Sequence, residues 1–305
     1  HATGRTRAVC GVAGGAPAME ISHVRRPASD VGRNSNDGLW FKAADMITWD
    51  LFPLMSLVSV ILWLSGAVMA LVPKHCRGRS DVWLMVLGTM AYACFVAGLW
   101  LSLGRPLLRT LGETRLWYSL FMMLSGVAVY ARWHYRWLPL FSLVVVMVFT
   151  AINILCPDIH DRTLMPALQS AWFVPHVTVY MFSYSLFGCA FLLALAGLWR
   201  RTSAFLPATD RLVAIGIAFD TFGRVSGCLW GKQAWGAYWS WDPKETWAAA
   251  TWCTYLCYLH FRMCSGRKSA VWGYLLLIVG FVLLQMCWYG VDFLPSAADS
   301  MHVYR

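Results

Sequence analysis

Charge is what this sequence has least of. Asp, Glu, Lys and Arg make up 13% of its 305 residues, while 59% are hydrophobic. A soluble domain of this size carries roughly a quarter charged residues, so the composition excludes an ordinary water-soluble enzyme. Also missing is any CxxC or CxxCH pair, although the chain has ten cysteines. Their spacing therefore excludes both a thioredoxin-like redox protein and a c-type cytochrome. Five of them (Cys94, Cys189, Cys253, Cys257 and Cys287) sit in apolar runs, where Cys behaves as a small hydrophobe, so no disulfide framework is expected. There is no internal repeat, no low-complexity linker, and no evident Ser-His-Asp triad or carboxylate pair, so no residue is assigned a catalytic role.

What the chain does have is apolar runs of about twenty residues, the length a helix needs to cross a ~30 Å hydrocarbon layer. Eight such spans are drawn, near 47–72, 82–103, 116–133, 137–155, 172–199, 211–228, 243–264 and 271–291. The fold expected is an all-α polytopic membrane protein with about eight helices in one bundle. The sixth span is the least regular, because it contains Asp220 and Arg224. Three regions are expected: a polar N-terminal tail over 1–45, four spans over 46–171, and four more with the C-terminal tail over 172–305.

The formal net charge of +10 does not point to nucleic acid, because of where the charge falls. Lys74, Arg77 and Arg79, then Arg132 and Arg136, then Arg200 and Arg201, then Arg262, Arg267 and Lys268 occupy alternate connections. Basic loops stay on the cytoplasmic side. The connections 104–115, 156–171 and 229–242, and the tail after about 292, are therefore expected on the outer side. Arg105, Arg109 and Arg115 in the first of these, and Arg25, Arg26 and Arg33 in the N-terminal tail, run against the rule.

Of eight histidines, three stand out once this topology is drawn. His176 lies about one turn inside the outer end of span five, and His302 lies in the outer C-terminal tail. His260 lies at the inner end of span seven, roughly 25 Å below Pro243 at ~1.5 Å per residue. A single interfacial His most often just bonds a carbonyl or water. Two on one side of a membrane can instead form the axial pair of a haem iron, neutral imidazole being the metal-binding form. His1, His23, His75, His134 and His160 fall in polar connections or tails and keep the simpler reading.

Between the two outer histidines lies WGKQAWGAYWSWDPKETW, residues 230–247. With Trp252 it places six of the chain's 18 tryptophans in a short stretch. Its end needs no special chemistry: Asp242 suits an N-cap, Pro243 the first helical position and Glu245 a capping box. The tryptophans exceed an interfacial belt, whose members scatter over many helix ends. Trp235, Trp239 and Trp241, beside Gly231 and Gly236, suit a large flat apolar π-system. Lys232, Lys244 and Arg224 are candidate partners for carboxylates at the edge of such a ring.

The segment WGAYWSWDPKETW resembles the tryptophan-rich WWD motif of haem-handling membrane proteins. Its DPKETW continuation, and a next span ending YLHFR, are similar to the CcsA family of cytochrome c-type biogenesis proteins rather than to the related CcmC. The resemblance covers about 172–302. The phrase around His302, PSAADSMHVYR, departs from the family's G-x-G-L-H-S-Y-G. The resemblance implies the haem-handling subunit of the system II cytochrome c maturation pathway, a haem lyase-type synthase. It implies that His176 and His302 ligate haem b, as substrate, on a wall that includes Trp235, Trp239, Trp241 and Asp242. His260 would be one ligand of an inner haem position, completed by a CcsB/ResB-like membrane subunit. Apocytochrome c, bearing CxxCH, and thiol-reducing proteins upstream are the other implied partners. The membrane would be a bacterial inner membrane with the WWD loop on the periplasmic face, or a thylakoid.

Two other functions use the same residues. One is a haem exporter or delivery chaperone with no ligase role. The other is a transition-metal transporter using Cys253, Cys257, His260 and Cys264, whose spacing puts them on one helix face.

Overall fold

The computed structural model describes residues 47–72, 79–108, 110–157, 160, 170–265, 270–295 and 300. The expected tail over 1–45, His1, His23, His75 and His302 lie outside the described residues. Eight α-helices follow in order: α1 Phe52–Leu71, α2 Ser80–Leu103, α3 Leu111–Trp133, α4 Leu138–Leu155, α5 Phe173–Trp199, α6 Leu206–Trp235, α7 Pro243–Ser265 and α8 Ala270–Trp288. Among the described residues there is no strand. The chain is a polytopic helical membrane bundle.

Six of the helices, all but α3 and α7, are long and apolar enough to cross a membrane. The two exceptions carry ionisable residues in their outer turns, Glu113 in α3 and Glu245 in α7. Short connections make sequence neighbours antiparallel partners: α1 packs on α2, α5 on α6 and α7 on α8. Helix α5 also meets α3 and α8, and 67% of its apolar window is buried against 33–39% in the other five spans. It is the central helix, with its outer turns over 174–180 half-buried.

Two helices are longer than the apolar pattern suggests. Helix α3 starts at Leu111, not near 116, because Thr110 and Glu113 form a reciprocal capping box. That motif satisfies backbone donors a hydropathy window does not register. Helix α6 continues to Trp235, not 228, and stops where Gly236 adopts φ 81°, the left-handed geometry glycine takes without penalty. The Asp220 and Arg224 that blurred this span are paired across one turn at 2.8 Å, so the helix passes through them unbroken. WGKQAW is therefore helix, and the outer connection is only 236–242.

At the inner end, α6 and α7 are pinned together. Asp210 accepts hydrogen bonds from Tyr258 Oη (2.6 Å), Arg262 Nε (2.9 Å) and Arg262 Nη2 (3.1 Å). This holds α7 two residues past His260.

Candidate functional site

Helix α7 begins as its sequence requires. Asp242 Oδ1 accepts the backbone N–H of Lys244 at 3.0 Å, and Glu245 Oε2 accepts those of Asp242 (3.2 Å) and Ser240 (2.8 Å). Ser300 also donates to Asp242 Oδ1, at 2.9 Å, so the C-terminal segment returns to this cap two positions before His302. Just ahead of the cap Trp241 takes φ 58°, a conformation that costs a bulky residue on the order of 1–3 kcal/mol. The turn ends the aromatic connection and leaves Trp241 70% exposed.

Beneath this connection lies a cavity of about 360 Å³, within the range of ligand pockets. The outer ends of five helices line it. Arg115 comes from α3, His176, Val177, Tyr180 and Tyr184 from α5, and Arg224 and Trp230 from α6. Tyr238 and Trp239 come from the loop, Lys244 and Ala248 from α7, and Trp288 and Tyr289 from the end of α8.

His176 is the best-defined donor. Its Nδ1 lies 2.8 Å from the Gly223 carbonyl on α6. A carbonyl only accepts, so Nδ1 carries the hydrogen and, in the neutral ring, Nε2 carries the lone pair. Such a bond behind a ligating imidazole fixes both tautomer and ring direction. The ring stacks on Trp230 (5.4 Å, 27°) and meets Tyr180 edge-on (4.7 Å, 68°). Gly227 closes the remaining side, where an added Cβ would stand 2.6 Å from Cε1 and Nδ1.

The other expected residues are placed as follows. Trp239 lines the cavity, and its buried Nε1 has no hydrogen-bond partner. Trp235 stands one layer back, against Trp230 at 4.7 Å. Trp241 faces outward, edge-on to Trp239 at 5.7 Å, and Asp242 is the helix cap. His260 is exposed near the far end of α7, with Nδ1 2.9 Å from the Leu256 carbonyl. Cys253, Cys257 and Cys264 are likewise exposed. No group of three His, Cys, Asp or Glu side chains among the described residues is placed to hold a metal ion, so this stripe does not converge on one.

Of the three cations expected near a ring edge, Lys232 serves elsewhere. It donates to the Gly236 carbonyl at 2.8 Å and lies over Tyr238 at 5.4 Å. Lys244 and Arg224 do line the cavity, paired with Asp292 (3.4 Å) and Asp220 (2.8 Å). Sequence reasoning passed over Trp230, Tyr180, Tyr289 and Arg115. Tyr180 carried a usable signal, since it follows His176 by one helical turn. Arg115 had been visible only as an exception to the charge rule, and Arg105 proves to be bound to buried Glu113 at 2.7 Å.

A family model described as cytochrome C assembly protein matches residues 107–298, a span that includes every helix lining the cavity. Among curated proteins, the CcsA cytochrome c biogenesis protein of Chlamydomonas reinhardtii is 38% identical over 157 residues, covering 46% of this chain and 42% of the relative. That of Prochlorococcus marinus (strain MIT 9301) is 34% identical over 179 residues, covering 46% and 57%. That of Cuscuta exaltata is 25% identical over 290 residues, covering 81% and 91%. The chain thus spans about half the length of the first two relatives. A solved structure of the cytochrome c heme lyase CcmF superposes with a TM-score of 0.61 at 18% identity, covering 86% of this chain and 48% of that one. The likeness is one of fold.

Proposed function

The chain belongs to the cytochrome c assembly protein family, and from that premise we propose that it handles haem in cytochrome c maturation, presenting it at the outer face for attachment to apocytochrome c. The observation that carries this is His176. Its Nδ1 faces the Gly223 carbonyl at 2.8 Å, which in the neutral ring leaves the lone pair on Nε2, and the ring is boxed by Trp230 and Tyr180 in an aromatic cavity. A lone-pair nitrogen, flat apolar walls and a few cations are what an iron porphyrin with two carboxylates requires. The donors present fit that group.

His302 is proposed as the second axial ligand. Its support is topological: Ser300 bonds the Asp242 cap, bringing the C-terminal segment to the Trp loop. Trp239 forms part of the wall, Trp235 backs Trp230, and Trp241 with Asp242 sets the rim. His260 is proposed as one ligand of an inner haem position, completed by a CcsB/ResB-like subunit. The outer face would be periplasmic in a bacterium and lumenal in a thylakoid.

When bound, haem supplies two vinyl groups. Each thiol of a CxxCH segment adds across one of them, S to one carbon and H to the other. The addition balances without an oxidant and needs the thiols reduced, which upstream thiol-reducing proteins would ensure. The chain's own contribution is positioning: His176 fixes the ring plane, the aromatic walls exclude water, and the loop leaves one side open to the partner. Holding reactants in register lowers a barrier without any acid–base residue.

The test has two stages. Purified protein should show a bis-imidazole absorption spectrum that His176→Ala abolishes and added imidazole partly restores. Co-expression with a CcsB-like partner and an apocytochrome, in a host lacking its own maturation system, should give holocytochrome that depends on His176 and His302. Haem binding without holocytochrome would reduce the role to export or delivery. A colourless protein would refute the proposal.

A further inference from the structure

We infer that Arg115 receives a carboxylate of the bound ring, and so makes the cavity selective for a carboxylate-bearing tetrapyrrole over its neutral analogue. This rests on the haem reading above and adds to it a residue and a selectivity.

Arg224 is held by Asp220 at 2.8 Å through Nη2, with Nε also bonded to the same carboxylate. Lys244 is paired with Asp292 at 3.4 Å. Glu245 is engaged by the backbone N–H groups of Ser240 and Asp242, at a helix N-terminus whose dipole favours its charge. Glu113, two residues from Arg115, accepts Arg105 at 2.7 Å and the Thr110 N–H at 3.3 Å. Each of these carboxylates, among the described residues, is therefore occupied. Among the described residues, Arg115 is the cavity-lining cation with no carboxylate partner; its guanidinium has the Tyr289 hydroxyl beside it.

A guanidinium stays charged under all ordinary conditions, and holding it in an aromatic recess without a counter-charge is costly. The position also breaks the rule that keeps basic residues off the outer side. Both costs vanish if a carboxylate arrives with the ligand, since Arg is the side chain that grips a carboxylate with two parallel hydrogen bonds. Arg115 lies one turn inside the start of α3, and His176 one turn inside the start of α5. These two helices pack directly on each other, so the iron-binding nitrogen and the carboxylate-binding fork sit at similar depth.

The experiment compares iron protoporphyrin IX with its dimethyl ester, in which both carboxylates are neutral, titrated against the full chain in nanodiscs. The wild type should bind the free acid about tenfold or more tightly, the worth of a charge-assisted hydrogen bond. Arg115→Gln should bring the two affinities together by weakening the acid alone, while Arg115→Lys keeps part of the preference. Unchanged ester binding in Arg115→Gln also shows that the variant is folded. Equal affinity of the wild type for acid and ester, or an undiminished preference in Arg115→Gln, overturns the inference and leaves the haem reading intact. Binding of neither porphyrin by the wild type refutes the haem reading, and the inference falls with it.

Discussion

Gly227→Ala puts the His176 geometry to its strictest test. A Cβ at 227 would lie 2.6 Å from both Cε1 and Nδ1 of the imidazole, where ordinary carbon contacts stand at about 3.5–4.0 Å. The ring must therefore retreat by roughly 1 Å. It has little room, with Trp230 against one face and Tyr180 at its edge. Retreat also stretches the 2.8 Å bond to Gly223 beyond useful length. Losing that bond costs about 0.5–1.5 kcal/mol, and overpacking adds about 1–3 kcal/mol. The functional loss should exceed the loss in stability, because a ~1 Å misplacement of a positioned group can cost about a hundredfold. The assay is haem titration followed by absorbance, with a thermal melt of the same sample. We expect a folded protein with sharply weakened haem binding, rescued by adding His176→Ala together with free imidazole. Wild-type haem affinity in Gly227→Ala would refute the assigned tautomer and the packing that enforces it.

Asp220→Ala should strip Arg224 of its counter-charge inside the membrane and destabilise by about 3–5 kcal/mol. Replacing both with Leu and Met should recover most of that in a melt. Trp241→Gly should leave the melting temperature unchanged or raised, because Gly relieves a left-handed strain on the order of 1 kcal/mol. Holocytochrome yield should fall nevertheless, and an unchanged yield would remove Trp241 from the rim. Asp242→Ala should cost about 1 kcal/mol as a lost cap and release the Ser300 contact, read as faster proteolysis of the C-terminal segment; Asp242→Asn should be milder. His260→Ala should leave the outer-site spectrum intact while lowering holocytochrome yield, and any change in that spectrum would contradict its placement at the far end of α7.

Much of the architecture was legible because hydrophobic runs and capping residues are local. Among the described residues, eight runs became eight helices, with ends displaced where a cap lay outside the run: Thr110 and Glu113 lengthened α3, and Gly236 stopped α6. DPKE was correctly a helix start. The tryptophan stretch divided differently from its appearance. Trp230 and Trp235 belong to α6, and only Trp239 of the expected three lines the cavity.

The amino-acid sequence by itself determined the membrane class, the eight helices among the described residues and the start of α7. Each depends on composition, length or a motif a few residues long. Tertiary structure alone decided that the Gly223 carbonyl sets the His176 tautomer, that Trp230 is its platform, and that Arg115 enters the same cavity as Lys244 and Tyr289. Helices in lipid are apolar all round, so periodicity does not say which face meets protein. The partners of a side chain are then chosen by which helices pack together, across separations in sequence that no local pattern records.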